Sequence, residues 1–209
     1  MMVDTSARVE WLTVAGDPDA WRSIGLTVSA EGLVPLFGTS LRIVSPDNHD
    51  GALGLIGWAF SGIPDVGDVA GFPTDVVDAG SPVFAAHELG ASQLDHVVIF
   101  TGSMDGVSDA IEARTGCERK RVRDLGEMQQ GFHRVGRGGL IVEIVQHADR
   151  DRTTEMWGLV MIVDDLDAAC ALLGSERVSQ PKDAVQPGRR IATIRPEVGL
   201  GTAVALMST

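Results

Sequence analysis

The chain has 209 residues, enough for one large or two small domains with a buried core, and its 44% hydrophobic and 22% charged residues are those of an ordinary globular protein. Apolar runs break within about ten residues, short of the ~20 that cross a bilayer. The net charge of −12 sets the chain against nucleic acid, because phosphate would be repelled. The opening Met1-Met2-Val3-Asp4-Thr5 lacks the basic and apolar regions of a secretion signal, so a cytoplasmic protein without a membrane partner is expected. Cys117 and Cys170 have no metal-knuckle spacing and read as free, buried thiols. Charge is uneven: residues 1–95 carry three Arg against thirteen acids, whereas residues 96–209 carry fourteen Lys or Arg against sixteen. That shift places a boundary near residue 90 and puts the cations in the second half.

In chain order, residues 9–15 alternate as a strand, and Asp17-Pro18-Asp19 opens a short helix with proline in its first turn. Residues 25–29, 33–37 and 40–45 read as three short strands. Residues 53–60, with Gly54 and Gly57, read as the start of a further, truncated unit. Residues 64–90, rich in Gly, Pro and Asp, read as irregular connection. Residues 94–100 then form a strand with His96, Val98 and Phe100 on one face. Residues 105–115 read as a helix stopped by Gly116, followed by strands over 119–123, 131–135 and 140–146. The order recurs: a strand over 157–163, a helix capped within Asp164-Asp165-Leu166-Asp167 and ended by Gly174, then strands near Ala184, over 190–194 and over 202–207. A repeat of about fifty residues takes precedence over any other fold reading.

The segment from Leu94-Asp95-His96-Val97-Val98-Ile99 to Ile141-Val142-Glu143-Ile144-Val145 resembles a half-module of the vicinal oxygen chelate superfamily, which includes glyoxalases, ring-cleaving dioxygenases and bleomycin-resistance proteins. The resemblance implies an α+β, glyoxalase-like fold: paired βαβββ modules forming a curved mixed sheet over residues 91–209, and a degenerate βαβββ copy within residues 1–90. It also implies a divalent metal, held by one ligand from the first strand and one from the last strand of each module, with open positions for vicinal oxygens. His96 and Glu143 fall on those positions, and this pair would suit Zn, Ni, Mn or Fe(II). The second copy offers Leu159 and Ala205, and the amino-terminal copy Trp11 and Arg42, none of them a metal ligand. Two ligands from four is too few, so the expectation is no resident cofactor, with a divalent metal on His96 and Glu143 as the alternative.

A lone histidine on an apolar strand is commonly a hydrogen-bonded core residue. An ionised glutamate inside Ile-Val-Glu-Ile-Val must pair, coordinate or take up a proton, because burying it alone costs several kcal/mol. A direct His96–Glu143 contact would satisfy both and, at the base of a cleft, would serve as a general base. Trp157 is placed to wall the cleft. Lys182, Arg189 and Arg190 flank the Pro187-Gly188 turn, where Arg190 is a candidate clamp for an anionic ligand or part of a solvated turn. Arg119, Lys120, Arg121 and Arg123 read as an exposed edge that blocks aggregation. The functional expectation is a small-molecule-binding protein with a cleft lined by His96, Glu143, Trp157 and Arg190, acting as monomer or homodimer. The alternatives are a metal-dependent lyase, isomerase or dioxygenase using His96 and Glu143, and a structural module whose cleft is filled by side chains.

Overall fold

The computed structural model describes residues 7–64, 67–80, 83–148 and 151–209. The amino-terminal stretch read above as lacking a secretion signal lies outside these residues. The first sheet is built from β1 (Arg8–Ala15), β2 (Leu33–Val34), β3 (Ser40–Val44), β4 (Gly54–Ser61), β5 (Asp68–Val69) and β6 (Phe72–Val76), with α1 (Pro18–Ser23) between β1 and β2. Asp17 caps α1 by accepting the amide of Asp19. The strand order is β2-β3-β1-β4-β6-β5, with β1 parallel to β3, antiparallel to β4, and β4 parallel to β6.

Two readings of this half are corrected. Residues 25–29 form no strand, because their backbone is engaged elsewhere: Thr27 N–H donates to His87 Nδ1 at 3.0 Å and Gly25 accepts the amide of Leu89. Residues 64–90 are not wholly irregular, since β5 and β6 lie within them. Pro73 and Asp75 disguise β6 as loop, but its pairing to β4 and the Thr74 hydroxyl, which accepts from Trp58 Nε1 and Val69 N, hold it in the sheet.

The second sheet is built from β7 (Ala91–Thr101), β8 (Arg119–Asp124), β9 (Gln129–Arg134), β10 (Ile141–Gln146), β11 (Glu155–Val163), β12 (Lys182–Asp183), β13 (Arg190–Thr193) and β14 (Ala203–Ser208). Helix α2 (Met104–Thr115) follows β7 and α3 (Leu166–Leu173) follows β11. Ser103 and Asp165 cap the two helices, and Gly116 stops α2 in the left-handed conformation. The order is β12-β13-β14-β11-β7-β10-β9-β8. In each module the first and last strands are parallel, β7 with β10 and β11 with β14, and the modules meet along the antiparallel pair β7–β11. This is the paired βαβββ architecture.

One continuous core joins the two sheets. Leu12, Trp21 and Trp58 of the first half bury with Val97, Ile111 and Met161 of the second. At the seam the backbones nearly touch: a methyl group on Gly54 (φ +102°) would lie 3.0 Å from the Gly201 carbonyl oxygen. The amino-terminal sheet therefore backs the helix side of the second sheet and does not pack on its other face, where His96 and Val98 are each 8% exposed. Among the described residues, that face has a small buried apolar cluster of its own, Val160, Ile162 and Met207. No described helix is long and apolar enough to cross a membrane.

Candidate functional site

Side chains alternate along β7, so Val97 and Ile99 enter the shared core while His96, Val98 and Phe100 take the open face. The alternation breaks at one place. Leu94 pairs with Met161 and His96 with Val160, so Asp95 is an extra, bulged residue. The bulge brings two neighbours in sequence to one site: His96 Nδ1–H donates to Asp95 Oδ2 at 2.7 Å. Arg189, reaching in from the turn before β13, donates from Nη1 to Asp95 Oδ1 at 2.9 Å and passes over the Met207 sulfur. On the other side, β10 sets Glu143 level with Val98, and Glu143 Oε2 stands 3.5 Å from His96 Nε2. That is an ion-pair distance, too long for a strong hydrogen bond. Gln130 of β9 donates from Nε2 to Glu143 Oε1 at 2.7 Å.

The result is a chain of polar groups, Arg189–Asp95–His96–Glu143–Gln130, crossing a face that also carries Val98, Phe100, Phe132 and Val160. Burial opposes the charge on Asp95, yet the hydrogen bonds and charges of His96 and Arg189 outweigh it and hold that carboxyl below its ordinary value. Ionised Asp95 therefore fixes the proton on His96 Nδ1 and turns Nε2 toward Glu143. Glu143 shifts the other way. Burial pushes its carboxyl up, the charges of His96 and Arg123 pull it partly back, and Asp95 adds to the rise. Gln130 suits either state of that carboxyl: its amide N–H serves the carboxylate, and after a flip its oxygen would accept from the acid. As placed, Gln130 Oε1 is buried without a partner.

Trp157 bulges out of β11, remains 47% exposed, and stacks on Phe100 at 4.9 Å between ring centroids. The Arg152 guanidinium lies 4.9 Å from the Phe100 ring, so the aromatic pair forms a platform at one edge of the face. Arg190 goes elsewhere: its guanidinium bonds Asp167 of α3 at 2.8 Å, and Arg189 is the cation that joins the site. Leu159 is not on the site face either. It is buried in the shared core opposite Val97, and β11 presents Gly158 and Val160 instead. Ala205 does lie beside Val160. The other buried histidine of the second sheet, His133, is structural: it bonds the Cys117 carbonyl and the Ser108 hydroxyl on the helix side, where burial lowers its proton affinity.

Asp95, Gln130 and Arg189 are the site residues that strand parity does not reveal. Asp95 has the wrong parity unless a bulge intervenes, and only its adjacency to His96 hints at it. Arg189 and Arg190 are equivalent as sequence, and the direction of the turn separates them.

As a metal site, the donor set is incomplete. His96 Nε2 and Glu143 Oε2 face each other, but Asp95 is committed to His96 and Arg189, and Gly158, Val160 and Ala205 supply no donors. No group of three or more His, Cys, Asp or Glu side chains among the described residues is placed to hold a metal ion. Two protein donors do not fit a transition-metal site that needs three or four.

Known structures with similar folds align to little more than half of the chain. A methylmalonyl-CoA epimerase from Mycobacterium tuberculosis shares 19% identity, covering 57% of this chain and 89% of that one, with a TM-score of 0.48. A methylmalonyl-CoA epimerase variant from Streptomyces coelicolor, in complex with 2-nitronate-propionyl-CoA, shares 17% over 57% of this chain and 98% of its own, with a TM-score of 0.47. A hypothetical protein from Bacillus halodurans C-125 shares 14% over 56% and 94%, at 0.46. No family model matches the sequence, and no curated protein matches it either. The glyoxalase-like fold follows from the strand order and register of this chain itself.

Proposed function

We propose that the open face of the second sheet binds a small organic molecule, and that His96 and Glu143 serve there as a proton-transfer pair without a resident metal. The observation that supports this reading is the polar chain itself. Apolar side chains would stabilise this face more simply, whereas the protein places a histidine of fixed tautomer beside a carboxyl whose proton affinity is raised by burial. Such a pair can take a proton from a carbon acidified by a neighbouring carbonyl and return it. Residues 91–209 then carry the binding function, and residues 1–90 act as a subordinate unit that stiffens the sheet from behind.

The test has two parts. Amide and indole NMR shifts are followed while a fragment library is titrated, and binders should perturb Trp157, Val98 and Gln130 together. A library whose binders all settle elsewhere, such as the hollow of ≈ 540 Å³ beside α2, defeats the reading. Binders with an acidic C–H should then exchange it for deuterium faster with the wild-type protein than with Glu143→Gln. Equal rates leave a binding protein without proton transfer.

A metal-dependent enzyme is the second reading, and one contact favours it: a carboxylate on the far nitrogen is how metal-ligating histidines are commonly oriented. Titration with Zn²⁺ or Ni²⁺, read at the His96 ring protons, decides it. A tight stoichiometric shift there, lost in Glu143→Ala, would replace the metal-free reading.

A further inference from the structure

Among the described residues, Arg121 and Arg123 stand out in a chain of net charge −12 because neither makes an ion pair or a hydrogen bond. Their direction follows from register. Arg121 pairs with Phe132 and Arg123 with Gln130 across β8–β9, and Gln130 is the residue that reaches Glu143. Directly opposed residues share a face, so both guanidiniums belong to the open face, while Val122 between them is exposed on the other. The rows then continue across the sheet. Arg121, Phe132, Glu143, Val98, Gly158 and Ala203 lie in one line from the edge to the second module. The neighbouring row runs from Arg123 through Gln130 and Val145 to Phe100, on which Trp157 stacks. Arg123 acts on Glu143 through its charge.

We propose that the ligand of this face is an amphipathic organic carboxylate: its anionic group is held by Arg121 and Arg123, and its apolar body lies over Phe132 and Val98 toward the Phe100–Trp157 platform. This rests on the small-molecule reading above and adds the chemical class. Two unpaired guanidiniums on adjacent rows form a fork suited to a carboxylate. The apolar row leads from them past Glu143 to the small side of Gly158 and Ala203. Strand spacing sets the scale: β8 and β10 are two strands, about 10 Å, apart. The ligand therefore carries its carboxylate roughly that far from the atom presented to His96 and Glu143. Edge protection alone would leave these arginines without any effect on ligand choice.

The experiment compares 4-phenylbutyrate with its neutral amide, 4-phenylbutyramide, as probes on the wild-type protein and on Arg121→Gln/Arg123→Gln, read from the Trp157 indole and Gln130 amide resonances. The carboxylate should bind about ten-fold or more tightly than the amide to the wild type, the gap expected for a charge-assisted contact. That gap should close in the double variant. Equal affinities of the two probes for the wild type, with shifts on the open face, overturn the anion assignment and leave the small-molecule reading standing. A preference that survives in the double variant overturns it equally. Shifts from neither probe on that face count against both. If the double variant does not fold, the wild-type contrast between carboxylate and amide still decides.

Discussion

The two sheets carry the same strand register and opposite chemistry. In the second sheet the parallel pair β7–β10 sets Ile141 beside His96 and Glu143 beside Val98; in the first, β1–β3 sets Ser40 beside Trp11 and Arg42 beside Thr13. The antiparallel partners correspond as well. A bulge puts Asp95 just ahead of His96, and another puts Glu10 just ahead of Trp11. At equivalent places, one sheet thus holds an imidazole facing a carboxylate, and the other a guanidinium 5.5 Å from an indole ring. Glu10, the counterpart of Asp95, accepts a hydrogen bond from the Ser61 hydroxyl and does not orient a histidine. Backbone pairing is thus maintained while the side chains at the site positions change role, which is why fold alone does not carry function.

The comparison can be broken most severely through the shared core. Trp58 is buried in the first half, edge-on to Phe60 and Phe72. Trp58→Ala should cost about 3–5 kcal/mol in urea unfolding, and the whole chain should still unfold in one transition. Separate transitions for the two halves would mean the sheets are independent bodies and the likeness is only local.

Next in size is His96→Ala, which strips a partner from Asp95 and Glu143 and should cost ~1–3 kcal/mol. An unchanged melting temperature would show that the polar chain does not hold the face together. A cut at the counterpart of Glu143 in the first sheet should matter less. Arg42→Ala removes an exposed cation–π contact of ~0.5–1 kcal/mol, and a loss as large as that of His96→Ala would show that the two sheets do not differ in this respect.

The pH dependence sharpens the contrast between the two acids of the site. Glu143 holds its proton above the usual value of 4.5, so its contribution to stability is fully present below that value and is lost as pH rises through the raised one. Glu143→Gln does not titrate, so its melting temperature should gain on the wild type as pH climbs from about 4.5. Asp95 is depressed below 3.8, so its contribution is present above that value and lost as pH falls through the lowered one. Asp95→Asn should therefore be destabilised at neutral pH and draw level only in strong acid. Parallel pH curves for the two variants would refute the opposed environments assigned to them.

Much of the site was legible because strand parity is strict. His96 and Glu143 sit in runs where every other residue is aliphatic, so their meeting on one face followed from period two alone. Where parity is interrupted, period two no longer gives the face of a residue. The bulges at Asp95, opposite the Val160–Met161 step, and at Trp157 moved Asp95 into the site and displaced Leu159 from the position assigned to it. The residues of β6 resemble a loop in sequence because Pro73 and Asp75 hide a strand whose pairing comes from β4, earlier in the chain.

What the sequence determined by itself was local and periodic: two strand–helix–strand units with capped helices, glycine stops, an acidic first half, and two polar residues on apolar strands. These depend on φ/ψ preference, capping chemistry and alternation, all set within a few residues. What only the tertiary structure decided was which of two adjacent arginines turns inward, which carboxylate holds the imidazole, and that the amino-terminal sheet covers the helix side and leaves the other face open. Those outcomes depend on bulges and on packing between strands as far apart in sequence as Asp95 and Arg189, where the free energy of one contact is settled by everything already packed around it.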